Sequence, residues 1–358
     1  MEEIHKSATQ ADIAKFVGLS VSTVCLALQH NPRIPAATQQ KVRMAAKKLK
    51  YRPDPMLAAL VARRGDNKHP QSKANLAALI DARWLGGEEK LPFWILEYLA
   101  GIKRVCAQFG YDLSLFKYPN DLGDKAGSAD RILHAQGIRG LIFLPFRNDL
   151  LEVKISWDQY AMVVIGNPAI GKNLHRVDTD GFDSMNLICT KLKEYGYKSV
   201  GLANTLDQVM RNRYEWVGAL GKEKILGDGQ LKITHPYLPE TWTKSGFLQW
   251  FQKERPECVV TLWSGVIDWL KEAGYDVPGE VAVALLSRDT INIPDLAGTS
   301  SNLQLIGEYA VELLHPQLLR GEYGFQKMPK EVLAYATWVD GASVPRRDSQ
   351  SKKSHKGK

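Results

Sequence analysis

The feature that most narrows the fold is an alternation. Short apolar runs of strand length, NLAALI, YDLSLFKY, GLIFLP and AMVVIG, then KSVGLA, LKITHPY, ECVVTLW and EVAVALL, are separated by segments with helical spacing such as LPFWILEYLAGIKRVCAQFG. Runs that are apolar at nearly every position belong to strands buried on both faces. Alternating them with helices gives parallel sheets covered by helices. Three helical segments end in the same pair before the next strand, Gly110-Tyr111, Gly196-Tyr197 and Gly274-Tyr275. The glycine takes the left-handed cap that stops a helix, and the aromatic opens a strand beneath it. The strand-helix units form two clusters divided near Asn167 to Asp178, which predicts an α/β core of two lobes.

The N-terminal region reads differently. The chain has 358 residues, enough for two or three domains. Its net charge of +8 is unevenly spread. Residues 1–64 hold eleven basic and four acidic residues, and residues 346–358 hold six and one. The stretch between them holds 30 basic and 34 acidic residues, so two basic ends flank a mildly acidic body. A basic module on an acidic body points to a polyanion as partner of the module alone. Within that module, TQADIAKFVG places Ile13, Phe16 and Val17 on one helical face before Gly18, and LSVSTVCLALQ opens on Ser20 with Val24, Cys25 and Leu28 on one side. A third helix, roughly Ala36 to Leu49, turns Val42, Ala45, Ala46 and Leu49 inward and Lys41, Arg43, Lys47, Lys48 and Lys50 outward. The three or four residues around Gly18 have the length of a helix-turn-helix turn. Spacing alone also fits a small helical bundle with a solvated basic face.

The residue order DIAKFVGLSVSTVCLALQ, then RIPAATQQKVRMAAKKLKYRPDPMLAAL, resembles the LacI/GalR family of bacterial transcription regulators. The resemblance continues through GIRGLIFLP, VDTDGFDSMNLICTKLKEYGYKSVGLA, YDVPGEVAVALL and IGEYAVELLHPQLLRGEYG. It implies an all-α helix-turn-helix domain over residues 1–52, a hinge helix over 53–66 and a two-lobed periplasmic-binding-protein-like core over 67–345. In that core the chain crosses between lobes three times, so the stretch after Asn302 returns to the first lobe and Trp338 to the second. The resemblance places the second helix in the major groove, with Ser20 at its start, Val21 and Ser22 at base-reading positions and Thr23 beside them. It assigns phosphate or groove contacts to Thr9, Gln29, Arg33 and Thr38, although Thr38 reads equally as a solvent-facing hydroxyl. In the hinge, Leu60 takes the position of a minor-groove wedge, Met56, Leu57 and Ala59 form a seam between paired hinges, and Arg63 and Arg64 approach phosphates. Leu26 stands where the family commonly has arginine. It can meet a thymine methyl but cannot donate to guanine, so the operator differs from those of arginine-bearing relatives. Pro35 replaces a capping Ser or Thr ahead of the third helix.

In open parallel sheets, ligands bind beyond the carboxyl ends of the strands. Those ends supply Trp84, Phe146, Asp180, Arg211, Arg213, Trp263, Ser287 and Asn302 as effector-binding candidates, with Asp81, Arg83, Pro145, Asn204, Ser264 and Arg288 nearby. Aromatic plates suit apolar ring faces, and Arg, Asp and Asn groups suit hydroxyls. Trp84 and Trp263 also read as packing residues, and Arg83 as a solvated one. Where the family's strand usually ends in acidic residues, this chain has Leu286-Ser287-Arg288. A common sugar-binding carboxylate is therefore absent, which opens the cleft to an acidic or otherwise different effector, or to none.

The chain lacks GxxxxGK[ST], a GxGxxG opening a helix, GxSxG and HExxH, so an enzyme is not expected. No metal or cofactor is expected either. His134 and His175 read as surface residues, and Cys25, Cys106, Cys189 and Cys258 as reduced thiols used as small hydrophobes. The apolar part of the hinge, Met56 to Ala62, is far shorter than the roughly 20 residues of a membrane span. Without a secretory signal the expectation is a cytoplasmic protein. Residues 346–358 have nothing apolar to bury and are expected to form a disordered basic tail. The expected partners are operator DNA, a small, carbohydrate-related effector and a second copy of the chain. The alternative is a DNA-binding regulator whose lobes only dimerise.

Overall fold

The computed structural model describes residues 10–28, 34–49, 74–85, 90–146, 150–167, 173–290 and 293–347. The chain divides into two compact units, Met1–Ser72 and Lys73–Lys358.

The first unit contains α1 (Gln10–Val17), α2 (Val21–Leu28) and α3 (Ala36–Lys48), each packed on the other two. Its core is Ile13, Ala14, Val17, Val24, Ala27, Val42 and Ala45, with Leu19, Leu28, Ala46 and Leu49 partly buried against it. One expected inward residue faces out. Phe16 is 52% exposed, and the Lys48 ammonium lies over its ring at 5.2 Å. Ile13 and Val17, four apart, define the buried stripe, and small Ala14 completes it where the helices approach. Gly18 adopts φ +69°, and the N–H of Leu19 donates to Ala14 O at 3.0 Å to close the first helix.

The second unit holds two sheets. The first comprises β1 (Asn75–Asp81), β2 (Asp112–Tyr118), β3 (Gly140–Phe143), β4 (Ala161–Ile165), β5 (His175–Thr179) and β11 (Glu331–Ala334), in the order β11-β5-β4-β3-β1-β2, all parallel. The second comprises β6 (Ser199–Leu202), β7 (Lys232–Ile233), β8 (Cys258–Thr261), β9 (Ala282–Leu285), β10 (Gly298–Ser300) and β12 (Thr337–Val339), in the order β12-β10-β9-β8-β6-β7. Only β12 runs antiparallel to its neighbour. LKITHPY, read as a full strand, yields the two-residue β7 and an isolated bridge from Ala203 to Tyr237.

Strand alternation feeds two cores per sheet. Leu76, Ala78 and Ile80 of β1 pack under α4 (Phe93–Phe109) and α11 (Leu303–Arg320). Ala77 and Leu79 face the other side, with Leu133 of α5 (Ser128–Ala135). The second sheet is covered likewise by α6 (Gly181–Glu194) and α8 (Glu215–Leu226) on one face and by α9 (Lys244–Glu254) and α10 (Val266–Glu272) on the other. All three Gly-Tyr junctions have the left-handed glycine, with φ of +78°, +84° and +86° at Gly110, Gly196 and Gly274. Tyr111 and Tyr197 lead into β2 and β6, whereas Tyr275 leads into a turn and β9 begins only at Ala282.

The chain passes between lobes at 179–181, 300–303 and 334–337, so α11 returns to the first lobe and β12 joins the second. Every crossover leaves a carboxyl end of a parallel strand. The carboxyl edges of the two sheets therefore face each other.

His175 is a correction to the expectation of a surface residue. It is 4% exposed, and its Nδ1 accepts the Lys330 N–H at 2.7 Å. Cys106, Cys189 and Cys258 are buried thiols, and Cys25 is half-buried. Arg346 and Arg347, the first residues of the presumed tail, lie over the rings of Tyr195 and Tyr197 at 4.6 and 4.3 Å. The rest of that tail and the hinge run 53–66 lie outside the described residues. Among the described residues no helix is long and apolar enough to cross a membrane.

Candidate functional site

On the first unit, Ser20 caps α2. Its Oγ accepts the Thr23 N–H at 3.1 Å and lies 2.8 Å from the Thr23 hydroxyl. Ser20 and Thr23 thus satisfy each other and orient the helix start. Val21, 47% exposed, and Ser22 project from the first turn. Leu26, four residues after Ser22, shares that face and is half-buried. Lys41 Nζ donates to Val17 O at 3.2 Å, tying α3 to the end of α1. Thr38 lies half-buried in the first turn of α3, behind Pro35, which makes no side-chain cap. Thr9, Gln29, Arg33, Leu60 and Arg63 lie outside the described residues.

On the second unit the candidates sort into two kinds. Some stand at or beside the carboxyl ends of the strands with polar or aromatic groups not spent on caps or ion pairs. Trp84 donates its indole N–H to Pro145 O at 2.7 Å and meets Trp94 edge-on at 5.5 Å. Trp94 in turn meets Tyr98 at 6.2 Å. Across the lobes, Trp263 is 38% exposed and packs on Trp242 and Trp269 with ring centroids 5.4 and 4.6 Å away. Asn204, fully buried after β6, accepts the Leu262 N–H at 2.9 Å, yet its Nδ2 has no hydrogen-bond partner among the described residues.

Other candidates are committed to internal bonds. The ring of Phe146 is 2% exposed and packed on Phe143, so it belongs to the core and not to the cleft wall. Its carbonyl instead accepts Arg211 Nη1 at 2.6 Å. Arg211 also pairs with Asp207, and Arg213 with Glu331. Asp180 caps α6 by accepting the Asp183 N–H at 2.8 Å. Asn302, at φ +52°, caps α11. Ser287, 8% exposed, accepts from the Ser301 hydroxyl at 3.0 Å. Asp81 is fully buried, and the guanidinium of Arg83, an exposed residue, grips it at 2.8 and 2.9 Å.

Two carboxyl groups near the first crossover are shifted upward. Burial pushes Asp178 up to about 6, against the opposing pull of Arg176 and the Thr179 N–H. Burial also raises Glu215, although it accepts the Gly181 N–H at 3.0 Å and lies near Arg213 and Arg176. The Tyr98 hydroxyl is pushed up by burial, with Asp178 and Asp289 adding to it. The 3-10 turn Arg288–Thr290 of the second lobe lies against α4 of the first.

The profile described as "Bacterial regulatory proteins, lacI family" matches residues 9–54. A transcriptional repressor PurR of Haemophilus influenzae (strain PittEE) is 24% identical over 339 residues, covering 89% of this chain and 94% of the relative. The chain thus carries a lacI-family segment near its N-terminus and is similar to LacI-family repressors over most of its length. The matched profile is that of bacterial regulatory proteins, and it covers the three-helix unit described above. The regulator MalR of Streptococcus pneumoniae serotype 4 is 23% identical over 297 residues, covering 79% of this chain and 84% of that protein. Among solved structures, the lac repressor dimer bound to operator and the anti-inducer ONPF is 19% identical with a TM-score of 0.54, covering 95% of this chain and all of the other. The CelR-cellobiose complex is 16% identical, also with a TM-score of 0.54, covering 94% and 99%. Both share the LacI/GalR fold.

Several groups near the facing sheet edges escaped sequence reading. Trp94 and Tyr98 had a signal, the Phe93-Trp94 pair opening a helix just past a strand end. Glu331 and Asp289 had none, because their partners lie far away in sequence.

Proposed function

We propose that this chain is a homodimeric, sequence-specific transcriptional repressor of the cytoplasm, whose operator affinity is set by a sugar or sugar derivative held between the lobes. The observation that carries the effector part is the pair of facing rims. One bears Trp84 and Trp94; the other bears Trp242, Trp263 and the unpartnered Nδ2 of Asn204. Aromatic faces stack on apolar ring faces, and a buried amide donor without an acceptor is costly unless a ligand supplies one. For DNA, the exposed Val21 and Ser22 with Leu26 form the reading face. In the hinge, Leu60 unstacks a base step as a wedge.

Footprinting on selected operator fragments, with calorimetry against sugars, nucleosides and sugar acids, tests both halves. A two-fold symmetric footprint whose affinity falls steeply with salt is expected. Leu60→Ala is expected to weaken operator binding by about tenfold or more while leaving effector binding unchanged. An asymmetric or salt-indifferent footprint sinks the DNA part. A second reading, lobes that only dimerise, is favoured by the internal commitment of Arg211, Arg213, Asp180, Ser287 and Asn302. Flat calorimetry with intact operator binding selects it.

A further inference from the structure

The segment that follows β6 brings two guanidiniums of the second lobe onto the first. Helix α7 (Leu206–Arg211) ends with Arg211, whose Nη1 donates to Phe146 O at 2.6 Å. Two residues on, Arg213 Nη1 lies 2.9 and 3.1 Å from the two carboxylate oxygens of Glu331, the first residue of edge strand β11. Both contacts run between lobe bodies and not along a crossover.

The turn that aims them is costly and braced. Arg213 and Tyr214 adopt φ of +57° and +61°, left-handed conformations that disfavour residues with a Cβ. They persist because neighbours over-determine the turn. The Tyr214 N–H donates to Val209 O at 2.9 Å, and Asn212 Oδ1 accepts the Trp216 N–H at 2.9 Å. At its base, Glu215 accepts the N–H of Gly181, the residue that begins the second lobe. A Cβ on Gly181 would lie 2.2 Å from Asn212 Nδ2, so turn and crossover fit without slack. On the first lobe, Glu331 is fixed by a second cation, Arg176 of β5, which also approaches Asp178 at 3.4 Å.

We infer that this chain carries its own closure latch, in which Arg213 and Glu331, aided by Arg211 on the Phe146 carbonyl, hold the lobes together with no small molecule bound. This goes beyond an effector-controlled cleft, since it concerns the free protein and stands whether or not a ligand exists. Both partners are well exposed, Arg213 by 48% and Glu331 by 37%. Water therefore screens the pair, and its loss shifts the open-to-closed ratio by about two- to fivefold, not by orders of magnitude. The latch biases closure without locking it.

Hydrogen-deuterium exchange on the free full-length chain tests this, read on peptides spanning 178–184 and 331–337, where the Asp180 N–H donates to Ala334 O. Arg213→Met is expected to speed exchange there by about two- to fivefold, and Arg213→Lys to keep it slow. Glu331→Gln added to Arg213→Met is expected to cause less than the sum of the two single effects, because they share one interaction. Exchange unchanged in Arg213→Met, or strict additivity of the two substitutions, overturns the latch. A uniform rise that includes β1 and β8 overturns it too, since that marks general loosening. None of these readouts involves DNA or an effector, so failure here leaves the proposed function standing.

Discussion

Asp178 ends up in an environment that suits its neutral form. It lies next to last in β5, where burial raises it to about 6 despite Arg176, with Glu215 and Glu331 adding like charge. Its ordinary value is about 3.9. Between those two pH values the folded chain holds a proton that the unfolded chain has released. Stability from this group therefore grows as pH falls from 6 towards 4, and is lost as pH rises through 6. Asp178→Asn keeps an acceptor for the Thr179 N–H and is expected to raise the melting temperature at pH 7.5 but not at pH 4.5. Thermal melts at the two pH values check this, and an equal shift at both would refute it. Residues like Ser20 were legible in the sequence because a helix cap is a local event three residues long. Its hydroxyl is spent on that cap, as the sequence reading of Ser20 expects. Arg213 was visible only as a cation near a strand end. Its partner lies 118 residues away, and no local rule reaches that far.

Helices α4 and α11 cross where two glycines interlock. A Cβ on Gly101 would come within 1.8 Å of Gln304 O, and one on Gly307 within 2.3 Å of Tyr98 O. Backbone thus rests on backbone, and the obstacle is not a flexible side chain that could swing away. Gly101→Ala is expected to destabilise the second unit by about 1–3 kcal/mol or more, because helices must separate to admit one methyl group. Chemical denaturation followed by tryptophan fluorescence measures it; a loss below about 0.5 kcal/mol would contradict the interlocked crossing. The elements themselves were readable because fully apolar strands and Gly-Tyr stops are strong punctuation. The crossing was not, since a glycine in mid-helix gives no hint of what approaches it. Faces were legible less reliably than spans, as Phe16 demonstrates. A residue at the edge of a helical stripe goes inward or outward according to the neighbour it meets, and here that neighbour is Lys48.

At the scale of the molecule, two lobes could be read from alternation, but three crossings between them could not. They came from resemblance to LacI/GalR proteins, because periodicity is blind to which sheet a strand joins. The crossings make each lobe a mosaic. The first sheet draws β1 to β5 from residues 75–179 and then takes β11 from 331–334, while α11 covers it. A fragment ending at residue 302 is therefore expected to lack a stable first lobe, even though it retains most of that lobe's strands. Its exchange protection across β3 and β4 should collapse, while intact protection there would show that α11 is dispensable. The same mosaic fixes an order in time. A ribosome finishes five strands of the first lobe early, yet Ile306, Ala310, Val311 and Leu314, which seal their apolar face, are made more than a hundred residues later. At about 5–20 residues per second the open face waits several seconds or longer for its cover. During that interval α4 is the only one of the two covering helices available to that face, so part of its apolar surface stays bare until α11 is made.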